Sequence, residues 1–357
     1  MRAARFHSAR DIRIEDIPAP DEPGPGEVLI EPAWTGICGT DLHEYLVGPI
    51  VTPAEPHPLT GAQLPQILGH EFSATIVAVG EGVSLQPGDR VAAMPLISCG
   101  RCRPCVRGDN HLCVRMACTG LSYAWGALAE LAIVPAYQLN RIPDALSLEQ
   151  GALIEPTAVA VYAVERARMQ AGADVLITGA GPIGALSLLA AFALGAGRVF
   201  VSEPNPHRAR QARELGATAV WNPSADDVVD AVNDVTDGDG IDCALECSGS
   251  GPGLNLCFDA VRAGGVVVQA GLHTSKPAVD PMQWCLKDLT IEATWAYPVT
   301  SWPRIAQLIA RGALPAERVV TRRTSLERVV PDGFDALVDP SGHEMKVLVS
   351  PSGGVPR

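Results

Sequence analysis

The stretch Asp174-Val175-Leu176-Ile177-Thr178-Gly179-Ala180-Gly181-Pro182-Ile183-Gly184 decides how the second half of this 357-residue chain folds. Its first five residues are mostly apolar and predict a buried parallel strand. A glycine-rich turn follows at once, with Gly179, Gly181 and Gly184 in the spacing GxGxxG, and the apolar run 185–194 then predicts a helix. Strand, glycine turn and helix in this order predict a dinucleotide-binding unit.

An acidic residue completes this pattern. Glu203 ends the next predicted strand, about twenty residues after the glycine turn, where a carboxylate accepts hydrogen bonds from adenosine ribose hydroxyls. The three glycines, with Pro182 and Ile183 between them, would let the backbone approach a pyrophosphate at the helix N-terminus. Because the Glu203 carboxylate would repel a 2′-phosphate, the pattern favours NAD over NADP. Arg208 lies nearby and leaves NADP open as the alternative.

Two kinds of segment flank this motif. Predicted strands at 199–203, 219–220, 242–246 and 266–270 alternate with predicted helices at 207–215, 226–235 and 253–261, which indicates a doubly wound parallel sheet with helices on both faces. Short strands separated by turns precede them, at 11–15, 27–33 and 74–80, and a helix at 304–311 and a strand at 345–349 follow. We therefore assign 1–153 and 300–357 to a β-rich domain and 154–299 to the dinucleotide-binding domain.

Composition excludes several classes of partner. The formal net charge of -13 argues against nucleic acid and anionic membrane surfaces, both of which need a positive protein surface. No apolar run reaches the roughly 18 residues of a membrane helix, and the start, Met1–His7, has no apolar core of the signal-peptide kind. A cytoplasmic location is therefore expected. Ten cysteines in a reducing compartment need an explanation other than disulfides.

Four of these cysteines fall in one turn-rich segment. Cys99, Cys102, Cys105 and Cys113 have the spacing CxxCxxCx7C, and the glycines and prolines around them indicate a loop rather than core. Four thiolates at this spacing predict a closed, tetrahedral zinc site, whose role would be structural because no coordination position is left open. An iron–sulfur cluster uses similar ligands and is the alternative.

A second candidate metal site lies earlier in the chain. The stretch Gly36-Ile37-Cys38-Gly39-Thr40-Asp41-Leu42-His43 and the later Gly69-His70-Glu71 supply a thiol, an imidazole and an acid, which is the ligand mix of an open catalytic zinc. Alone, the first stretch also fits a polar turn with one buried cysteine. Beside a nicotinamide cofactor, such a zinc suits hydride transfer between an alcohol and a ketone. Thr40 and His43 are predicted to pass on the alcohol proton.

These motifs, in this order and over nearly the whole chain, resemble the zinc-dependent medium-chain alcohol dehydrogenase family. The resemblance implies a GroES-like β-rich catalytic domain beside a Rossmann domain, and two zinc ions per chain. It implies that Cys38, His70 and Glu155 bind the catalytic zinc, in a branch that has Glu155 where others have cysteine. Glu71 would be a nearby acid able to bind the metal transiently, and Asp41 would hydrogen-bond His70.

The resemblance also suggests a substrate. The stretch 42–50 and the following 57–61 are most similar to the branch that interconverts (R,R)-2,3-butanediol and acetoin, so a small diol or hydroxyketone is expected. Sorbitol, other polyols and other secondary alcohols are the alternatives. Tyr123 and Trp125 depart from that branch, as bulky residues where small ones are expected, and Trp295 and Tyr297 also bear on the pocket. These aromatic residues would either reshape the substrate cleft or simply fill core.

Assembly and non-enzymatic functions need separate consideration. By family analogy, a homodimer or homotetramer is expected, with 266–269 and its neighbours as a dimer-forming edge. A nucleic-acid-binding zinc module would also use a four-cysteine loop, but the net charge opposes it. A dinucleotide sensor without catalysis would have no need of the set Cys38, His70 and Glu155.

Overall fold

The structure is a computed structural model and describes residues Met1–Gly353. Its strands are β1 Arg2–Ser8, β2 Asp11–Asp16, β3 Glu27–Gly36, β4 Gln66–Ile67, β5 Glu71–Val79, β6 Arg90–Ala93, β7 Leu96–Ile97, β8 Ala117–Cys118, β9 Ala132–Pro135, β10 Leu139–Arg141, β11 Asp174–Thr178, β12 Arg198–Ser202, β13 Ala219–Trp221, β14 Ile241–Glu246, β15 Val261–Gln269, β16 Thr290–Ala293, β17 Val320–Ser325 and β18 Lys346–Ser350. Its α-helices are α1 Gly39–Val47, α2 Arg103–Val106, α3 Leu148–Ala152, α4 Ile154–Arg166, α5 Pro182–Ala193, α6 Pro206–Glu214, α7 Val228–Val235, α8 Gly251–Ala260, α9 Pro281–Leu286, α10 Trp302–Ala310 and α11 Asp335–Val338. Single 3-10 turns lie at Asn110–Leu112, Ala136–Gln138, Val299–Ser301, Ala316–Val319 and Leu326–Arg328, and a π-helical turn lies at Val329–Phe334.

The chain divides into two compact units. The first comprises Met1–Glu155, Pro298–Ala310 and Val320–Arg357, and the second comprises Pro156–Tyr297 and Arg311–Val319. The last of these segments differs from the assignment made from the sequence, which placed all of 300–357 with the first domain. Its 3-10 turn, Ala316–Val319, packs against α5 of the second unit and buries Ala316 and Val319 there.

The second unit contains a parallel sheet with the strand order β13-β12-β11-β14-β15-β16. This is the doubly wound order of dinucleotide-binding folds, and it reverses direction between β11 and β14. The fold class predicted from the sequence is confirmed. The glycine turn directly follows β11, so it lies at the carboxyl end of the sheet beside this reversal point, where open α/β sheets bind ligands.

Helix α5 explains why the glycine turn is so close to the sheet. It is apolar on nearly all sides, and residues 184–191 are buried. A Cβ atom at Gly184 would overlap the carbonyl oxygen of Gly179, so only glycine permits this approach. Within Met1–Gly353, α5 included, no helix combines the length and the apolar character that crossing a bilayer requires.

The first unit is built around β3. In its main sheet the order is β10-β6-β5-β3-β18-β17, with β9 also paired to β3. Gly36, the last residue of β3, pairs with Glu71 of β5 on one side and with Leu348 of β18 on the other. Cys38, which follows the end of β3, therefore lies beside the start of β5, and His70 is the residue directly before β5.

Helix α1 begins within the stretch Gly36–His43, which from sequence alone also fitted a polar turn. The backbone N–H of Cys38 donates to Oδ2 of Asp41 at 3.0 Å, which satisfies the start of the helix as in a capping box. Tyr45 anchors the other end: its ring lies 5.2 Å from that of Phe334, and its hydroxyl donates to Asp335 at 2.8 Å. The helix places Thr40 and His43 on one face, three residues apart.

The edge of the parallel sheet also differs from expectation. Val266–Gln269 lies in β15, which pairs with β14 on one side and with β16 on the other. The edge is instead β16, a short strand whose sequence Thr-Ile-Glu-Ala gives a weak strand signal. A dimer-forming edge on this sheet would therefore use β16.

Candidate metal centres and dinucleotide site

The first candidate centre lies where β3, α1 and β5 meet. Cys38, His70 and Glu71 each offer one ligand atom, and these atoms all lie within 4.8 Å of one another. His70 and Glu71 are buried, whereas Cys38 is partly exposed. A soft thiol, an imidazole and a carboxylate at this separation suit zinc.

Asp41 lies behind the imidazole of His70, although neither Oδ1 of Asp41 nor Nδ1 of His70 makes a hydrogen bond among residues 1–353. Oδ1 of Asp41 lies 3.4 Å from Nδ1 of His70, and Asp41 is fully buried. With Nδ1 directed at the carboxylate, Nε2 is the nitrogen left to bind a metal. A carboxylate behind a ligating histidine fixes its ring and raises its basicity.

Charges around the centre change the proton affinity of both candidate ligands. Burial alone disfavours a charged imidazole, but the nearby Asp41 carboxylate and the Cys38 sulfur outweigh it and raise the pKa of His70 well above its usual range. Burial, followed by the Glu71 carboxylate, raises the pKa of Cys38. In the absence of a metal, both shifts favour the protonated form of each group. A bound cation would offset the charges that cause these shifts.

Glu155, the third ligand implied by the family resemblance, lies in the first turn of α4 and is 7% exposed. It is not a member of the cluster of Cys38, His70 and Glu71. Its carboxylate nevertheless raises the pKa of Cys118 and of Lys346, and Cys38 also raises the pKa of both groups. Glu155 thus lies in the electrostatic neighbourhood of the cluster, and its role as a ligand stays a prediction.

Thr40 lies beside the thiol of Cys38, a candidate metal ligand. Its Oγ1 is 3.8 Å from Sγ of Cys38, and both Thr40 and His43 are partly exposed on α1. A hydroxyl that can both accept and donate a proton thus stands one helical turn from an imidazole.

Lys346 is a residue of this centre that the sequence interpretation missed. Its ammonium forms an ion pair with Oε2 of Glu71, and both side chains are 1% exposed. It also donates to the carbonyl oxygen of Ile37 at 3.0 Å. Burial opposes its charge, but Glu71 and Cys38 raise the pKa of Lys346, so it stays charged. A lysine at the start of the mostly apolar strand β18 was the available signal.

The second candidate centre is the four-cysteine loop between β7 and β8. The sulfur atoms of Cys99, Cys102, Cys105 and Cys113 all lie within 4.8 Å of one another. Backbone N–H groups lower the pKa of Cys99 to about 6, whereas burial raises the pKa of Cys105 to about 11. Four converging sulfur atoms, one already favouring the thiolate, fit a structural zinc ion.

The glycine turn has the features of a dinucleotide cradle. Gly181 precedes α5 as its N-cap, Pro182 and Ile183 form its first turn, and a Cβ at Gly181 would meet no protein atom within 4 Å. Open space at a helix N-terminus suits a pyrophosphate. The predicted cofactor-binding motif is therefore accessible to a ligand.

Glu203 and Arg208 lie close to this turn in the same unit. The buried carboxylate of Glu203 accepts hydrogen bonds from the backbone N–H groups of Ala180 at 2.6 Å and Asn205 at 2.8 Å. Each carboxylate oxygen can accept a further bond, so ribose hydroxyls can still bind. Arg208 lies in α6, and its Nε is buried without a hydrogen-bond partner among residues 1–353. An unsatisfied donor here is consistent with a bound cofactor.

The aromatic residues that depart from the butanediol branch have different surroundings. Trp125 packs against two hydrophobic clusters of the first unit, which supports the interpretation that it fills core. Tyr123 is half-buried. Tyr297 is fully buried, whereas Trp295 is 48% exposed.

Comparisons with known proteins identify the family of the chain. The model for the alcohol dehydrogenase GroES-like domain matches residues 24–144, and that for zinc-binding dehydrogenases matches residues 182–311. The chain is 38% identical over 355 residues to an (R,R)-butanediol dehydrogenase of Bacillus subtilis (strain 168), covering 99% of this chain and 100% of that protein. It is 33% identical over 354 residues to a sorbitol dehydrogenase of the same strain, covering 99% of this chain and 98% of the relative.

A solved structure gives the same result. The crystal structure of 2R,3R-butanediol dehydrogenase from Bacillus subtilis superposes with a TM-score of 0.91 at 38% identity, covering 98% of this chain and 99% of that one. The agreement extends over both units, so it includes the GroES-like and the Rossmann-type folds. The chain therefore belongs to the zinc-dependent medium-chain alcohol dehydrogenase family and is an oxidoreductase of the zinc-type alcohol and polyol dehydrogenases.

Proposed function

We propose that this protein interconverts (R,R)-2,3-butanediol and acetoin, a secondary alcohol and its ketone, with NAD as the hydride acceptor. The cluster of Cys38, His70 and Glu71 is the observation that carries the reaction type, because it offers a metal site beside a proton-exchanging hydroxyl. The substrate rests on the 38% identity, over nearly the whole chain, to a protein named (R,R)-butanediol dehydrogenase.

The residues of the first centre fit a catalytic zinc. Cys38, His70 and Glu155 would hold the ion, Asp41 would orient His70, and Glu71 would stand by as an exchangeable acid. When bound, zinc supplies Lewis acidity to the substrate oxygen, and NAD accepts the hydride. A second zinc would be held by the four-cysteine loop, which gives two ions per chain.

Thr40 and His43 would carry the proton of the alcohol. The Thr40 hydroxyl accepts the substrate proton and donates its own onward, so its protonation state is unchanged after each transfer. His43, one turn further along α1, receives that proton and releases it to solvent. The pyrophosphate would bind at Gly179, Gly181, Pro182, Ile183 and Gly184. Glu203 would bind the ribose hydroxyls, with Arg208 beside it.

The test is metal analysis combined with a substrate panel. We expect about two zinc ions per chain and faster NADH formation with (R,R)-2,3-butanediol than with sorbitol, threonine or simple secondary alcohols. NADP should support much slower oxidation than NAD, because the Glu203 carboxylate would repel its 2′-phosphate. A clear preference for sorbitol would favour the polyol alternative, which the 33% identity to a sorbitol dehydrogenase supports.

Zinc binding to the metal-free first centre is expected to weaken as the pH falls. Both His70 and Cys38 have raised pKa values and hold protons in the absence of metal, so zinc must displace them. Between roughly pH 8 and 6, the apparent affinity should fall about tenfold per pH unit for each displaced proton. Competition titrations with a chelator measure this, and the same titration on Cys38→Ser separates this centre from the cysteine loop. An affinity that does not change with pH would contradict the assigned protonation states.

We further propose a homodimer or homotetramer formed through the edge strand β16. This strand has one unpaired side, and Ile291 on it is 44% exposed, with Leu286 and Trp295 also exposed nearby. Exposed apolar edges of this kind pair with a second copy or aggregate. Ile291→Arg should shift the protein toward monomer in sedimentation velocity. Val77→Arg, at a position that is also 44% exposed but lies on the first unit, should not. A monomeric parent protein would disprove the interface.

All ten cysteines are free of disulfide bonds, which supports a reducing, cytoplasmic setting for the enzyme.

A further inference from the structure

The Glu71 carboxylate has two possible cationic partners, a metal ion and the ammonium of Lys346. Glu71 belongs to the cluster that suits a metal, and it is also paired with a buried ammonium. Both side chains are 1% exposed, so water does not screen the pair. The ammonium of Lys346 is fixed further by its hydrogen bond to the carbonyl oxygen of Ile37 at 3.0 Å, next to Cys38.

The pairing of three strands holds this ion pair in place. Strands β5 and β18 flank β3, and Gly36 at the end of β3 pairs with Glu71 on one side and with Leu348 on the other. A Cβ atom at Gly36 would overlap the Glu71 carboxylate and lie 3.2 Å from Cε of Lys346. The two side chains therefore meet across Gly36, and any larger residue there would separate them. Because every residue of β18 is buried, Lys346 has no route to solvent.

A buried carboxylate needs a compensating positive charge, and here two cations compete for it. With Lys346 present, the carboxylate has a partner whether or not it binds the metal. Without Lys346, the metal would be the only cation within reach, and Glu71 would become a permanent ligand. We propose that Lys346 is a positioning residue that keeps Glu71 an exchangeable ligand and so keeps one coordination position free for substrate. This inference rests on the proposed function, since it assumes zinc at Cys38 and His70.

The test compares metal release and coordination in the loaded protein, without substrate. In Lys346→Met, release of zinc to a chelator should slow, because Glu71 would be a further bound ligand that must also dissociate. A change of about tenfold or more is expected, the scale on which groups next to metal ligands alter metal affinity. In the cobalt-substituted protein, the visible d–d absorption should shift, because the Glu71 carboxylate would occupy the position otherwise left for water or substrate. Both changes should vanish when Lys346→Met is made in a Glu71→Gln background. Unchanged release in Lys346→Met, or the same change with Glu71→Gln present, would overturn the proposal.

A second variant covers the case in which Lys346→Met does not fold. Lys346→Gln keeps a donor for Ile37 and Glu71 but removes the charge, so it should slow metal release in the same direction. If neither variant differs from the parent protein in release or absorption, the inference is wrong while the proposed function stands. If the parent protein shows no cobalt–thiolate absorption that depends on Cys38, the metal site itself, and with it the proposed function, is refuted.

Discussion

Cys38→Ser is expected to lower the rate of NAD-linked diol oxidation by roughly three orders of magnitude or more. A Lewis acid at the substrate oxygen contributes several kcal/mol to the transition state, and about 4 kcal/mol corresponds to a thousandfold change. Serine offers a neutral hydroxyl in place of a thiolate, so the ion would be held weakly or lost. Zinc content should fall from about two ions per chain toward one, measured beside NADH formation.

The substitution is chosen so that folding is preserved. Cys38 is the residue that precedes α1, and serine is among the residues preferred at such a position. The backbone N–H that donates to Asp41 also remains. A loss of activity in Cys38→Ser can therefore be attributed to the metal rather than to an unfolded helix, provided that circular dichroism is unchanged.

Cys118→Ser is the matched control. Cys118 is buried near the same centre, and burial raises the pKa of its thiol to about 12, but it is not a member of the cluster of Cys38, His70 and Glu71. This variant should keep both zinc ions and most of its activity. Undiminished turnover in Cys38→Ser, or an equal loss in both variants, would rule out the assigned role of Cys38.

Much of the fold can be predicted because its signals are local. The glycine turn, the apolar strand before it and the acid after it are read from one stretch, and the structure places them at the reversal point of the sheet. Helix α1 escaped prediction because what stabilises it is distant in sequence. Tyr45 packs against Phe334, nearly three hundred residues away, and a glycine begins the helix, which is unfavourable by local propensity.

In the candidate site, too, some residues can be predicted from the sequence and others cannot. Cys38 and His70 stand out because their neighbours form recognisable motifs, and the structure brings both together with Glu71. Lys346 could not be paired with Glu71 from sequence, because 275 residues separate them and only the pairing of β3 with both β5 and β18 brings them into contact. The position of the edge strand was missed for a related reason. Strand β16 is four residues long, and its pairing with β15, rather than its own sequence, defines it.

Cys105→Ser is expected to disorder the four-cysteine loop while leaving the second unit intact. The loop has little core of its own: Val106 and Val114 are 74% and 73% exposed, and its regular structure is limited to α2 and one 3-10 turn. We therefore expect its order to depend on a metal ion held by the four sulfur atoms, as in other small metal-dependent modules. Closing a 15-residue loop contributes about 3 kcal/mol to the free energy of unfolding by chain-entropy arguments. The melting temperature of the first unit should therefore fall by roughly 6–12 °C in Cys105→Ser.

Hydrogen exchange distinguishes local disorder of the four-cysteine loop from unfolding of the whole protein. Amide protection should disappear between β7 and β8 in Cys105→Ser and remain in β11, because β11 belongs to the other unit and is buried within its sheet. Chelator treatment of the parent protein should reproduce this pattern, since it removes the same ion. Cys285→Ser, at an exposed cysteine of the second unit, provides the matched control and should change neither protection nor melting temperature. Retained protection of the loop in Cys105→Ser would show that its own side chains suffice to order it, and that its sulfur cluster is not a structural metal site.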